Sequence, residues 1–221
     1  MISFPYQVNH LPKGINYIPF PIRMGLLGYR VLLLKKGDAG KFESIKNLKG
    51  LQKYKMSFYP SWEDFYVYEQ NKLPLYFAKG YFDVFKSVIE GRSDYTSRSI
   101  IEVTKELKYL HSKKFELDID PHILLHYPFA DFFYIKKSNK LLYDRFVTGF
   151  KSIIKDGSWI KLLKEYYLNE LNALNLKKRK LIELNNPIFG PNHLENLYFW
   201  IDHEQLLKEV GQGHLNEKDD I

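Results

Sequence analysis

Apolar and polar positions along this chain fall into blocks whose period changes in a regular order. Residues 29–34 (YRVLLL) form a continuous apolar run, the pattern of a strand buried on both faces. Residues 54–59, 75–77 and 94–96 are shorter extended runs. Between them the period becomes helical. Pro60-Ser61 opens a predicted helix over 62–71, with Ser61 as N-cap and Asp64 three residues on, as in a capping box. A second helix, 81–90, puts Phe82, Phe85, Val88 and Ile89 on one face. Gly91 follows as its C-terminal cap, where a left-handed backbone costs a glycine little. A third helix, 99–109, turns Ile100, Val103 and Leu107 inward. Strands alternating with helices predict crossover units, an α/β class and mainly parallel sheets flanked by helices.

The flanking segments read less regularly. Prolines 5, 12, 19 and 21 mark an extended entry with a short strand near 17–20, followed later by a turn at 37–40 and a short helix over 42–48. Residues 115–119, 122–126 and 132–136 are extended. Residues 140–155 carry a clear apolar stripe through Leu141, Leu142, Phe146 and Phe150. Asp156-Gly157-Ser158 ends that helix and caps the next, 159–171. Short apolar pieces at 181–184 and 197–201 and a polar tail complete the chain.

Composition narrows the classes. A chain of 221 residues with 45% hydrophobic content makes one large domain or two small lobes. Its apolar runs are too short for membrane insertion, which needs about 20 residues. The net charge of +7 could favour nucleic acid, but the lysines are dispersed, and only Lys177–Lys180 (KKRK) is compact. Solvated helix faces account for them, and no nucleic-acid partner is expected. Without cysteine, disulfides and thiolate metal sites are excluded. The first residues, MISFPYQVNHLPKG, lack the basic and apolar regions of a signal peptide, which points to the cytoplasm if Met1 is the true start.

No catalytic constellation, cofactor site or metal site is legible. His122 and His126 lie four apart, but Pro121 and the flanking pattern make that segment extended, so the pair does not chelate. There is no Gly-x-Ser-x-Gly elbow and no phosphate loop. Ligand chemistry is expected instead where strands end. Arg98 and Ser99 fall at the carboxyl end of a predicted strand, the place where ligands bind in open α/β sheets. A guanidinium there pairs with a solute carboxylate or, equally, with Glu102 or Asp94 of the same chain. Trp62 and Tyr127 sit in predicted loops, where an aromatic ring lines a cleft or plugs a core.

Several pieces occur in an order that resembles the bacterial extracellular solute-binding proteins of family 3, the amino-acid type of transporter substrate-binding domain. They are GLLGYRVLLLKK (25–36), ESIKNLKGL (43–51), YPSWEDFYVYEQNKL (59–73), YFDVFKSVIEGRSDYTSRSIIEV (81–103) and the long run from 124 to 162 ending in DGSWIKL. Arg179, Asn186-Pro187 and Trp200 fit the tail of one subgroup. The resemblance implies a two-lobed, type 2 periplasmic binding protein-like fold, with an inner lobe at 37–129 and an outer lobe made from 1–36 and 130–221. It implies a non-enzymatic role: binding a small polar or carboxylate-bearing solute between the lobes for an ABC permease, in the periplasm. Ser61 and Trp62 match the helix start facing the cleft, Arg98 and Ser99 the ligand-facing turn, and Arg30 the start of the crossover strand. Two departures stand out. Arg98 stands where amino-acid binders often carry an acid, and only 24 residues precede GLLGYR, so a shortened outer lobe is expected. A degenerate or sensory member without a transport role, and a dehydratase-like enzyme on the same fold, are the alternatives.

Overall fold

In a computed structural model the protein is described over residues 2–5, 11–189 and 200–211, with side chains from 11 to 189 and 200 to 210. Two short strands come first, β1 (Ile2–Pro5) and β2 (Ile15–Tyr17). The apolar run becomes β3 (Tyr29–Lys35), and a single helical turn, α1 (Leu48–Leu51), leads to β4 (Met56–Phe58). The alternation continues with α2 (Phe65–Gln70), β5 (Leu75–Phe77), α3 (Tyr81–Ile89), β6 (Thr96–Ser99) and α4 (Val103–Ser112). Then follow β7 (Leu117–Ile119), β8 (Ile123–His126), β9 (Asp131–Lys136), α5 (Lys140–Lys155), α6 (Ser158–Ala173), β10 (Lys180–Glu183) and α7 (His203–Gly211). No helix among the described residues is long and apolar enough to cross a membrane.

The larger sheet is mixed. β4 and β5 pair in parallel as a two-stranded sheet, and an isolated parallel bridge from Met56 to Tyr95 sets it beside β6, so β4–α2–β5–α3–β6 follows the expected strand–helix alternation. β8 and β10 are also parallel. Between these groups β3 runs antiparallel to β6, β7 and β8, because it enters the sheet from the opposite end. Its residues alternate faces strictly. Tyr29, Val31 and Leu33 join one core with Val84, Val88 and Leu110 of α3 and α4. Leu32 and Leu34 join another with Phe58, Val67 and Tyr68 around α2. Core on both faces explains why the strand is apolar apart from Arg30 and the terminal Lys35, and the alternation explains why Arg30, an even position, emerges on the α2 side.

A third sheet, ordered β1–β9–β2, is wholly antiparallel. Ile135 of β9 packs with Ile18, Phe20 and Phe150 of α5, while Phe132 and Tyr134 pack on the other face with Phe189. β3 and β10, assigned by sequence to the outer lobe, pair wholly within the larger sheet. Leu206 and Val210 of α7 also sit in its core.

Local expectations fare unevenly for identifiable reasons. Gly91 has φ 75°, and Arg92 N–H and Gly91 N–H donate to the Ser87 and Val88 carbonyls, the two bonds of a Schellman cap. The helix predicted over 62–71 starts only at Phe65, because Asp64 turns its carboxylate into the core instead of capping. The helix predicted from Ser99 starts at Val103, because backbone pairing with β3 extends β6 through Ser99. In place of a helix over 42–48 there is a 3-10 turn, Ala39–Phe42, and α1, whose N-cap Asn47 accepts from Gly50 N–H. The apolar tail piece at 181–184 became β10, while most of 197–201 lies outside the described residues.

Candidate functional site

Two of the residues singled out by sequence meet directly. β6 delivers Arg98 at its carboxyl end, and the loop between β4 and α2 delivers Trp62, whose N–H closes a turn on the Tyr59 carbonyl. The Arg98 guanidinium carbon lies 4.5 Å from the centre of the indole ring. A stack of this kind is worth roughly 0.5–2 kcal/mol, more as it is desolvated. Trp62 is held edge-on by Phe58 (5.6 Å) and Tyr59 (6.1 Å) and stays half-buried. Arg98 is already paired: its Nε donates to Glu106 Oε2 at 2.5 Å, and Glu106 also accepts from the Tyr81 hydroxyl at 2.6 Å. Burial and then Glu106 raise the Tyr81 pKa, so its hydroxyl remains a donor. Glu102, the partner anticipated four residues on, lies 3.8 Å from Arg98 Nη2. Asp94, the other anticipated partner, instead accepts from Lys55 N–H and pairs with Lys41.

Arg30 and Tyr127 belong to a buried polar cluster beneath this surface. Arg30 donates through Nε to the Tyr127 hydroxyl at 2.8 Å and through Nη2 to Asp64 Oδ2. The same Asp64 oxygen accepts from Tyr127 (2.7 Å) and Tyr68 (3.2 Å), and Tyr68 is 2.7 Å from Ser97 Oγ. Arg30 and Asp64 are only 5% and 2% exposed, so every bond in the cluster is shielded from water. Burial acts to lower the Arg30 pKa, but Tyr127, Tyr68 and Asp64 outweigh it and hold the guanidinium charged. Burial raises both tyrosines, which keeps them neutral and donating. The cluster ties β3, β6, α2 and the end of β8 together, and it fixes Asp64 two residues beyond Trp62.

The remaining candidates are placed differently from expectation. Tyr127 is fully buried and lines no cleft. Ser99 is also fully buried, and its hydroxyl turns toward the Leu26 carbonyl at 3.4 Å. Ser61 is exposed and stands four residues before α2, so it does not cap that helix. Reasoning from sequence missed Glu106, Asp64, Arg23 and Asp131. Arg23 donates through Nε and Nη2 to both oxygens of Asp131, at 3.2 and 3.1 Å, which joins the segment before β3 to the first residue of β9 and so bridges the larger and the antiparallel sheet. The Asp64–Tyr68 spacing of four was a readable signal; the long-range pairs left none. Among the described residues, two concavities are lined by neither Trp62 nor Arg98. One is an apolar groove between α6 and α7, lined by Leu163, Leu171 and Leu206 among others; the other, of about 260 Å³, is lined by Lys136, Lys137 and Lys140 with Asn16 and Tyr143.

No family model and no curated protein matches the chain. Among solved structures it is similar to an ancestral arginine-binding protein bound to arginine, with 16% identity over 69% of this chain and 64% of that one and a TM-score of 0.45. It is similar to a putative binding component of an ABC transporter from Wolinella succinogenes complexed with lysine, with 16% identity over 69% and 63% and a TM-score of 0.47. An ancestral amino-acid-binding protein, a precursor of cyclohexadienyl dehydratase, matches with 18% identity over 70% and 63% and a TM-score of 0.46. The chain spans less than two thirds of the length of each.

Proposed function

We propose that the chain is a solute-binding protein that takes a small polar or carboxylate-bearing solute, of the amino-acid class, where the larger sheet meets the antiparallel one. The observation that carries this reading is the Arg98 guanidinium stacked on a half-buried Trp62 at the carboxyl end of β6. Such a pair offers one solute both an aromatic wall and a cationic edge. Arg98 spends its Nε on Glu106, and among the described residues its terminal nitrogens make no hydrogen bond. The reading is a binder rather than an enzyme, since Asp64, Glu106 and Asp131 are each engaged by a guanidinium. As in the proteins it resembles, it would hand its solute to an ABC permease from the periplasmic side.

Thermal melting of the parent protein with each L-amino acid and with small carboxylates tests the reading. A true ligand at a hundredfold excess over Kd stabilises by about 2.7 kcal/mol. For a chain of this size that is roughly 5–10 °C in midpoint. Trp62→Leu should abolish the shift. A panel that leaves the midpoint unmoved, or a shift that survives Trp62→Leu unchanged, defeats the proposal.

A further inference from the structure

Three guanidiniums converge on one half-exposed carboxylate beside the Trp62–Arg98 stack. Arg23 Nη1 lies 4.0 Å from Glu102 Oε1, while Arg30 Nη1 and Arg98 Nη2 lie 3.9 and 3.8 Å from Oε2. Arg30 and Arg98 leave adjacent strands on opposite faces, Arg98 facing Val31 in register and Arg30 facing Ser99, so their tips meet around the end of the sheet. Each arginine is anchored elsewhere by a carboxylate of its own: Arg23 through Nε and Nη2 by Asp131, Arg30 through Nη2 by Asp64 with Nε on the Tyr127 hydroxyl, and Arg98 through Nε by Glu106. Among the described residues, one unbonded nitrogen of each arginine faces Glu102: Arg23 Nη1, Arg30 Nη1 and Arg98 Nη2. At 3.8–4.0 Å they attract it without a hydrogen bond. Among the described residues the Glu102 carboxylate accepts no hydrogen bond, and its side chain, 36% exposed, is the least tethered of the four acids.

The charge count limits what else can enter. Three arginines are matched by Asp131, Asp64 and Glu106, and Glu102 adds a fourth negative charge. A second carboxylate arriving beside Glu102 meets a net negative cluster; one arriving in its place restores the same count. Glu102 can also leave cheaply. It sits at the N-cap of α4 without a side-chain capping bond, and its backbone bonds, to the Ser99 carbonyl at 3.0 Å and from Glu106 N–H at 3.1 Å, do not involve the carboxylate.

We infer that Glu102 is a built-in occupant of an oxyanion subsite. The carboxylate of the solute displaces the Glu102 side chain and takes hydrogen bonds from Arg23 Nη1, Arg30 Nη1 and Arg98 Nη2. This rests on the solute-binding reading and names both the groups that hold the solute's carboxylate and the side chain that competes for them. Competition weakens the apparent affinity by the fraction of molecules in which Glu102 holds the place.

The test compares parent protein, Glu102→Gln, Glu102→Ala and Glu165→Gln in thermal melts against succinate at constant ionic strength. Glu165 is exposed on α6, and its replacement changes the net charge equally. Both Glu102 variants should respond to succinate at concentrations about tenfold lower or more than the parent needs, while Glu165→Gln tracks the parent. Equal responses of parent and Glu102 variants, or no response from any of the four, overturn the inference. The broader reading fails separately: it falls if the amino acids and carboxylates leave the parent unmoved as well, or if a shift survives Trp62→Leu unchanged. A parent that responds to an amino acid, alongside Glu102 variants that respond identically, removes the competing role and leaves the solute site standing.

Discussion

Replacing Arg30 by Met removes one partner of the Arg30–Asp64 pair while keeping most of the side-chain volume. Asp64 is then a carboxylate at 2% exposure, with only the Tyr68 and Tyr127 hydroxyls left to solvate it. Breaking a buried pair on one side costs about 3–5 kcal/mol, mostly the penalty of the charge left behind. Against a total stability of about 5–15 kcal/mol this is a large fraction. In urea denaturation it should lower the midpoint by on the order of 2 M at a slope near 2 kcal/mol/M. Asp64→Asn in the same background should recover part of the loss, since the orphaned charge is gone, giving a coupling energy of at least about 1.5 kcal/mol. An Arg30→Met cost under about 1 kcal/mol, or two single costs that add, would refute the view that this cluster is a tight and water-free support for the Trp62 loop.

Three further outcomes follow from other parts of the molecule. Asp120 Oδ2 accepts from His122 and Ile123 N–H while Oδ1 is buried without a partner among the described residues, so Asp120→Ala should cost about 1–3 kcal/mol in urea denaturation and Asp120→Asn much less. A methyl at Gly28 would come within 2.0 Å of the Tyr127 carbonyl oxygen, so Gly28→Ala should cost about 1–3 kcal/mol by forcing β3 and β8 apart. Burial lowers the His203 pKa from its ordinary 6.5, outweighing Glu183, Asp202 and Glu204, with His126 acting in the same direction as burial. The unfolded chain therefore binds more protons as pH falls below 6.5. Stability should drop from that point down through the lower folded value, and the drop should be smaller in His203→Phe, read from urea midpoints between pH ~7.5 and ~5.

What was legible in the sequence is what local chemistry dictates. The run 29–34, the period of 81–90, the Gly91 cap and the Asp156-Gly157-Ser158 junction all appear where expected, because each depends on neighbours within a few residues. Trp62 and Arg98 were also readable, as an aromatic and a cation placed at strand ends by the crossover pattern. The parts that escaped depend on long-range pairing. β6 runs on through Ser99 only because β3 lies beside it, and that pairing buries Ser99. Asp64 gives up its cap because Arg30, 34 residues earlier in the chain, claims it. Arg23 and Asp131 are 108 residues apart, and no local pattern links them. The short strand β10 was visible only as an apolar patch, since its identity comes from the register with β8.

Trp62, as part of a solute site, carries an indole N–H that reports directly on a bound solute. The chain has three tryptophans, and Trp159 packs on Phe150 against the hydrophobic cluster of Ile18, Phe20 and Ile135. In a nitrogen–proton correlation spectrum, with the Trp62 peak assigned through Trp62→Phe, an amino acid or carboxylate that raises the melting midpoint should move the Trp62 peak and leave Trp159 in place. A stabilising solute that moves Trp159 while Trp62 stays still would contradict the account.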